Sequence, residues 1–87
     1  MFVILTYDVK LKRVAKTRKI VKKYLHPVQR SVFEGFLSEG KLRLLKNELQ
    51  AVINCDEDSV RVYKLQNLHG AELDALGVHT ESQPVCI

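Results

Sequence analysis

The sequence predicts one two-layer α+β domain, in which an antiparallel sheet carries two helices on one face. Three observations predict it. Apolar residues follow strand patterns near residues 2–9, 28–37 and 59–65, and amphipathic segments with helical spacing separate these strands. The length of 87 residues is enough for a single core. The resulting order is β-α-β(β)-α-β.

The first strand, residues 2–9, is apolar on both of its faces. Phe2 and Ile4 lie on one face, with Val3 and Leu5 on the other. A strand with one face in water would alternate apolar with polar residues instead. We therefore expect a helix to cover one side and a second protomer to cover the other.

The first helix is predicted over residues 11–25, ends before Pro27, and carries most of the positive charge. Eight of the fourteen Lys and Arg residues lie within residues 10–23, where there is no acid. Helical spacing of the apolar residues places these charges on exposed sides. A solvated face is the ordinary reading, but the density of charge favours contact with a polyanion. The candidates for phosphate contacts are Arg13, Lys16, Arg18, Lys19, Lys23 and Arg30.

The middle and later elements follow from turn and cap residues. Residues 28–37 are extended, and Gly35 marks either a bulge in one long strand or a tight turn between two short ones. Ser38 is expected to cap a second helix over residues 41–53, whose stripe of leucines faces the core. An acidic loop at residues 56–58 precedes the last core strand, residues 59–65.

This order of elements predicts the ferredoxin-like α+β sandwich. The core is expected over residues 1–66. The tail, residues 67–87, contains a short strand near residues 76–80 that we expect to pair with the sheet of another protomer. No segment is long enough to span a bilayer, which predicts a cytoplasmic protein without membrane contact. Cys55 and Cys86 match no metal-binding or redox spacing.

Three motifs in these elements resemble the family of small CRISPR-associated proteins numbered two (Cas-two). They are Tyr-Asp-Val at residues 7–9, Val-Gln-Arg-Ser-Val-Phe-Glu-Gly at residues 28–35, and Asp-Glu-Asp-Ser-Val at residues 56–60. The resemblance runs from Met1 to about Leu65. It implies a homodimer acting in spacer acquisition, which bridges two dimers of the integrase Cas-one and supports the duplex DNA to be inserted.

The resemblance also implies metal-dependent nuclease activity on RNA or DNA. The aspartate that ends the first strand is taken as the Mg²⁺ ligand in the family, and it corresponds to Asp8. A single carboxylate supplies few of the oxygen ligands that Mg²⁺ requires. Two-fold symmetry would bring the Asp8 carboxylates of two protomers together around one shared Mg²⁺, or Mn²⁺ in its place. The ordinary alternative is that Asp8 caps the following turn. Tyr7 points to the opposite face and is expected to pack.

These observations predict a homodimeric spacer-acquisition protein that binds duplex nucleic acid by its backbone. The first alternative is an active Mg²⁺-dependent endonuclease in which Asp8 is both the catalytic and the metal-binding residue. The second is a stand-alone RNA-binding module, which would stack bases on exposed aromatic residues of the sheet, chiefly Tyr63.

Overall fold

The computed structural model describes residues 1–67 and 70–77, with side chains through residue 65. Its elements are β1 (Phe2–Asp8), α1 (Leu11–Lys22), β2 (His26–Gln29), β3 (Val32–Phe36), α2 (Glu39–Gln50), β4 (Ser59–Asn67) and β5 (Gly70–Gly77). Within these residues the strands form one antiparallel sheet in the order β2-β3-β1-β4-β5. The first four strands and the two helices have the ferredoxin-like arrangement, which confirms the predicted fold class.

The two faces of the sheet have different surroundings. The odd-numbered residues of β1 and their cross-strand partners face the helices, and all of them except the half-buried Lys64 are buried, as in the register of Leu5 with Phe33 and Val62. Val21 from α1 and the stripe Leu42, Leu45 and Leu49 from α2 complete this core. The even-numbered residues of β1 and their partners form the other face, which we call the open face. Neither helix covers the open face.

Helix α1 ends at Lys22, three residues before the predicted end. The amide of Lys23 donates to the carbonyl of Ile20 at 3.1 Å, and that of Tyr24 donates to Val21 at 3.0 Å. Each of these hydrogen bonds joins residues three apart instead of four, so the last turn of the helix is narrower than an α-helical turn. The chain must then enter the edge strand β2, where Pro27 is tolerated because an edge strand need not donate on its outer side.

Of the two arrangements expected for residues 28–37, the structure shows the one with two short strands, but the turn between them is not at Gly35. A hairpin joins β2 to β3, and its turn lies at Arg30 and Ser31. Gly35 lies inside β3, in register with Val3 on the buried face. A Cβ at this position would lie 3.1 Å from Leu25 Cδ2. The glycine therefore permits close packing against Leu25 in the segment between α1 and β2, and the interpretation as a bulge or turn residue was wrong.

Helix α2 begins at Glu39, and the predicted cap is confirmed. The Ser38 side chain accepts a hydrogen bond from the amide of Lys41 at 3.1 Å. The helix ends at Gln50, earlier than predicted, although Ile53 beyond it is still buried.

The tail differs from its prediction. β4 continues to Asn67, past the expected core boundary, and β5 pairs with it in a hairpin of the same chain, with Val62 in register with Asp74. A hairpin closes over a short loop, so it satisfies the outer edge of β4 at little entropic cost. β5 includes residues 76 and 77 of the strand expected near residues 76–80, and these two residues pair with β4 of the same chain. Residues 78–80 lie outside the described residues.

Candidate nucleic-acid interface and metal site

Helix α1 presents a row of four exposed lysines to solvent, including its C-cap residue. They lie at positions i, i+4, i+7 and i+11, on the side opposite the buried Thr17 and Val21. We call this row the lysine face; it consists of Lys12, Lys16, Lys19 and Lys23. At 1.5 Å per residue it is about 16 Å long. Lys16, Lys19 and Lys23 were predicted contacts, whereas Lys12 was missed although its spacing would have identified it.

Lys23, at the end of the lysine face, is paired with a carboxylate from α2. The Lys23 ammonium and the Tyr24 hydroxyl both donate to Glu48. The hydrogen bond to Glu48 raises the pKa of Lys23, and the bonds from Lys23 and Tyr24 lower the pKa of Glu48. The ion pair is partly exposed and links the two helices. The absence of an acid in the local sequence therefore does not mean that every base is uncompensated.

Arg13 is directed into the protein. Its Nε donates to Asp58 at 2.5 Å and its Nη2 donates to Glu57 at 2.9 Å, while only 13% of its side chain is exposed. Bonds to these two carboxylates raise the pKa of Arg13. The prediction that Arg13 contacts phosphate disagrees with this placement. Arg13 instead holds the start of α1 against the acidic loop.

Asp58 is a fully buried carboxylate at the centre of this contact. It accepts hydrogen bonds from the backbone amides of Lys10 at 2.9 Å and Asn54 at 2.8 Å, besides the bonds from Arg13. Burial alone would raise its pKa, but the bonds from Arg13 and then from the two amides outweigh burial and lower the pKa to about 2. Because α1 has no acid in its first turn, Asp58 supplies the negative charge that favours a helix N-terminus.

Arg18 and Arg30 are brought together beside α1. The Arg18 guanidinium donates to the carbonyl of Arg30 at 3.3 Å and lies over the Phe33 ring, 5.4 Å from its centroid. Arg18 is half-buried, whereas Arg30 is exposed in the turn between β2 and β3. Arg18 therefore ties this turn to the helix that carries the lysine face.

Asp8 ends β1 and is exposed on the open face. It lines a shallow depression of about 300 Å³ together with Thr6, Tyr7, Ser59, Arg61 and Tyr63. Tyr7 itself is 7% exposed, and its ring stacks on Phe33 with centroids 5.9 Å apart. This contact confirms that Tyr7 packs in the core. Arg61 was not singled out from the sequence, because only the strand register places it near Asp8.

The donor groups at this depression suit a cation that keeps most of its water. Among the described residues, no group of three or more His, Cys, Asp or Glu side chains could hold a metal ion. Asp8 is in register with Ser59, so the fold also brings the acidic loop close, but Asp58 turns inward to Arg13. Mg²⁺ is commonly held by one or two carboxylates plus waters and substrate phosphates. Among the side chains that line the depression, Asp8 is the carboxylate that such a site would use.

Neither helix of the described ranges is long and apolar enough to cross a membrane.

The family model described as "CRISPR associated protein Cas2" matches residues 1–69. The chain is 51% identical over 78 residues to "CRISPR-associated endoribonuclease Cas2" of Thermotoga maritima, with 90% of each protein covered. It is 38% identical over 85 residues to the protein of the same name from Thermococcus kodakarensis, covering 98% of this chain and 95% of that protein.

Solved structures agree with these matches. The structure titled "Crystal structure of cas2" is similar with a TM-score of 0.70 and 36% identity, covering 100% of this chain and 95% of that one. Streptococcus pyogenes Cas2 has a TM-score of 0.69 and 34% identity, covering 75% of this chain and 86% of that one. The motifs around Asp8, in the hairpin and before β4 thus lie within a match that spans most of the chain, and the protein belongs to the Cas2 family of CRISPR associated proteins.

Proposed function

We propose that this chain acts in CRISPR spacer acquisition as a homodimer that holds duplex nucleic acid by its phosphate backbone and bridges dimers of the integrase. Membership of the Cas2 family supports a role in a CRISPR system. The single observation that carries the binding proposal is the lysine face of α1. Lys12, Lys16 and Lys19 project from a folded helix into solvent, where a backbone of phosphates can reach them together.

The lysine face is suited to contacts that ignore base sequence. Lysine offers a point charge, which attracts phosphate without the planar geometry that reads a base edge. Arg30 lies beside the same helix and extends the positive surface onto the sheet edge. The affinity for duplex nucleic acid is therefore expected to be independent of base sequence and to fall as the salt concentration rises.

The dimer is supported by the apolar part of the open face. Phe36 is 79% exposed and contacts Phe2 edge to face, with centroids 5.0 Å apart, and Leu65 is their neighbour across β1. A contiguous exposed apolar patch marks an interaction surface. A two-fold axis would cover this patch with its own copy. In a stand-alone RNA-binding module the same face would stay open and stack bases, and Tyr63 on this face is half-buried. The oligomeric state therefore distinguishes the homodimer from the RNA-binding module.

Asp8 supports a second candidate function, a Mg²⁺-dependent endonuclease acting on RNA or DNA. Its carboxylate is exposed at the end of β1, and relatives of the chain are named endoribonucleases. In the dimer, the Asp8 residues of the two protomers would hold one Mg²⁺, or Mn²⁺. When bound, that ion would neutralise phosphate charge and activate water. Asp8 would position the ion on the open face, whereas the lysine face lies on the helix side of the sheet.

Salt dependence of duplex binding tests the main proposal. If the dimer neutralises about 6 phosphates, its affinity for duplex DNA should fall by about 10³-fold between about 50 and 200 mM salt. Fluorescence anisotropy in EDTA measures this without cleavage. Two duplexes of unrelated sequence should give the same slope. A flat response to salt would contradict phosphate binding by the lysine face.

Asp8→Ala separates binding from cleavage. We expect duplex binding in EDTA to be retained, because Asp8 is no part of the lysine face, while any metal-stimulated cleavage is lost because the ion has lost its ligands. Cleavage of labelled RNA and duplex DNA with Mg²⁺ or EDTA measures the second effect. Metal-stimulated cleavage that survives in the variant would remove Asp8 from the mechanism.

A further inference from the structure

The open face has a polar end and an apolar end. Along β1, Phe2 lies between Phe36 and Leu65, whereas Thr6 lies between Val32 and Arg61, and Asp8 lies beside Ser59. The aromatic residues are thus gathered at one end of the strands, and the hydroxyl and charged groups at the other. A dimer that buries the apolar end leaves the polar end near the rim of the interface.

Arg61 lies at this polar end beside Asp8. Because Thr6 is in register with Arg61 and Asp8 with Ser59, Arg61 is a diagonal neighbour of Asp8 on the same face, at about 7 Å between backbones. Both side chains line the same depression. Within the described ranges, neither Asp8 nor Arg61 forms an ion pair or a side-chain hydrogen bond. A half-buried guanidinium is therefore presented to the depression without a partner among the side chains that the structure describes.

We propose that Arg61 binds the phosphodiester of the nucleic acid at the Asp8 depression, as a substrate-binding residue distinct from the lysine face. The inference rests on the proposed function, since it assigns the group that receives the substrate where Asp8 would hold the metal. A guanidinium matches the non-bridging oxygens of a phosphate in a bidentate manner. The Asp8 carboxylate repels the same phosphate. In the absence of metal, the positive charge of Arg61 beside it would offset that repulsion.

Arg61→Ala tests the proposal through two effects of opposite sign. Affinity for a short DNA duplex in EDTA should fall ~10-fold, since a charge-assisted bond is lost. The dependence of the logarithm of affinity on the logarithm of salt should become shallower by about 1 for each lost phosphate contact. Affinity for Mn²⁺ alone, measured by electron paramagnetic resonance, should rise, because a neighbouring positive charge no longer opposes the cation at Asp8.

Two further variants serve as references. Arg61→Lys keeps the charge but loses the planar donor pair, so it should recover part of the duplex affinity. Arg43→Ala removes an exposed arginine from α2, on the opposite side of the sheet, and should change neither affinity beyond the general loss of one charge. All variants are compared with the wild type by sedimentation, and Arg61→Ala should remain dimeric.

Different failures point to different errors. If the wild type does not bind duplex in EDTA, the proposed function fails and the inference fails with it. If the wild type binds and Arg61→Ala behaves like Arg43→Ala, the inference alone is contradicted. If Arg61→Ala sediments as a single chain, Arg61 holds the subunits together, and its role as a phosphate ligand is overturned.

Discussion

At the scale of single residues, the buried Asp58 joins the acidic loop to the start of α1. Asp58→Asn removes the charge but keeps the size of the side chain. Because Arg13, with only 13% of its side chain exposed, would lose its buried charge partner and keep only the exposed Glu57, we expect the free energy of unfolding to fall by ~3 kcal/mol. Urea denaturation followed by circular dichroism measures the change.

Asp56→Asn is the matched control for this substitution. Asp56 is exposed in the same loop, and its backbone amide, rather than its carboxylate, makes the local bond to Asn54. The control should change stability by less than about 0.5 kcal/mol. Equal effects of the two substitutions would show that the Asp58 contacts do not stabilise the fold.

Asp58 also predicts how stability depends on pH. Its pKa is about 2 in the folded protein against 3.8 ordinarily, so folding favours the ionised form. The stabilisation is present above about pH 4 and is lost as the pH falls from 4 towards 2, because the unfolded state then takes up a proton that the folded state does not. It amounts to about 2 kcal/mol. Thermal melts from pH 5 to pH 2 should show this slope in the wild type, and a shallower slope in Asp58→Asn.

Among the elements, α1 combines two tasks on opposite sides. Thr17 and Val21 pack on the sheet, while the lysine face points outward. Reversing charges on the outer side should therefore change binding without unfolding the protein. For Lys16→Glu combined with Lys19→Glu, duplex affinity near 50 mM salt should fall by about 100-fold or more, with a shallower salt dependence. Anisotropy measures both quantities.

A control with the same change in net charge lies on α2. Lys41 and Arg43 are exposed there, and replacing both by Glu alters the overall charge equally. If the lysine face is the binding surface, this second double variant should keep most of its affinity and its salt dependence. Equal losses in the two double variants would mean that only total charge matters, and the lysine face would not be a defined site.

For the molecule as a whole, the open face decides the oligomeric state. Phe36→Asp places a charge in the exposed apolar patch beside Phe2, so it should separate the proposed dimer into single chains. Sedimentation should report 10.0 kDa for the variant and twice that mass for the wild type. Leu11→Asp is the control, because Leu11 is 89% exposed but belongs to α1. A wild type that sediments as one chain would contradict the dimer.

The order and type of the core elements could be predicted because they depend on local patterns. Alternating or continuous apolar runs identified the strands, and helical spacing with the Ser38 cap identified the helices. The position of Asp8 at the end of β1 follows from the same reasoning. The interpretation of Gly35 failed because a glycine in a turn and a glycine in a crowded strand look alike in sequence. Leu25, which distinguishes them, is ten residues away.

The sequence was sufficient for the ferredoxin-like order of strands and helices, the basic character of α1 and the position of Asp8, since each depends on residues close together in the chain. The partners of the charges became visible only when the chain was folded. Asp58 pairs with Arg13 across 45 positions, and Glu48 pairs with Lys23 across 25. Arg61 likewise reaches the side of Asp8 only through the register of β1 with β4. Electrostatic contacts depend on distance in space, and the antiparallel sheet sets that distance independently of separation along the chain.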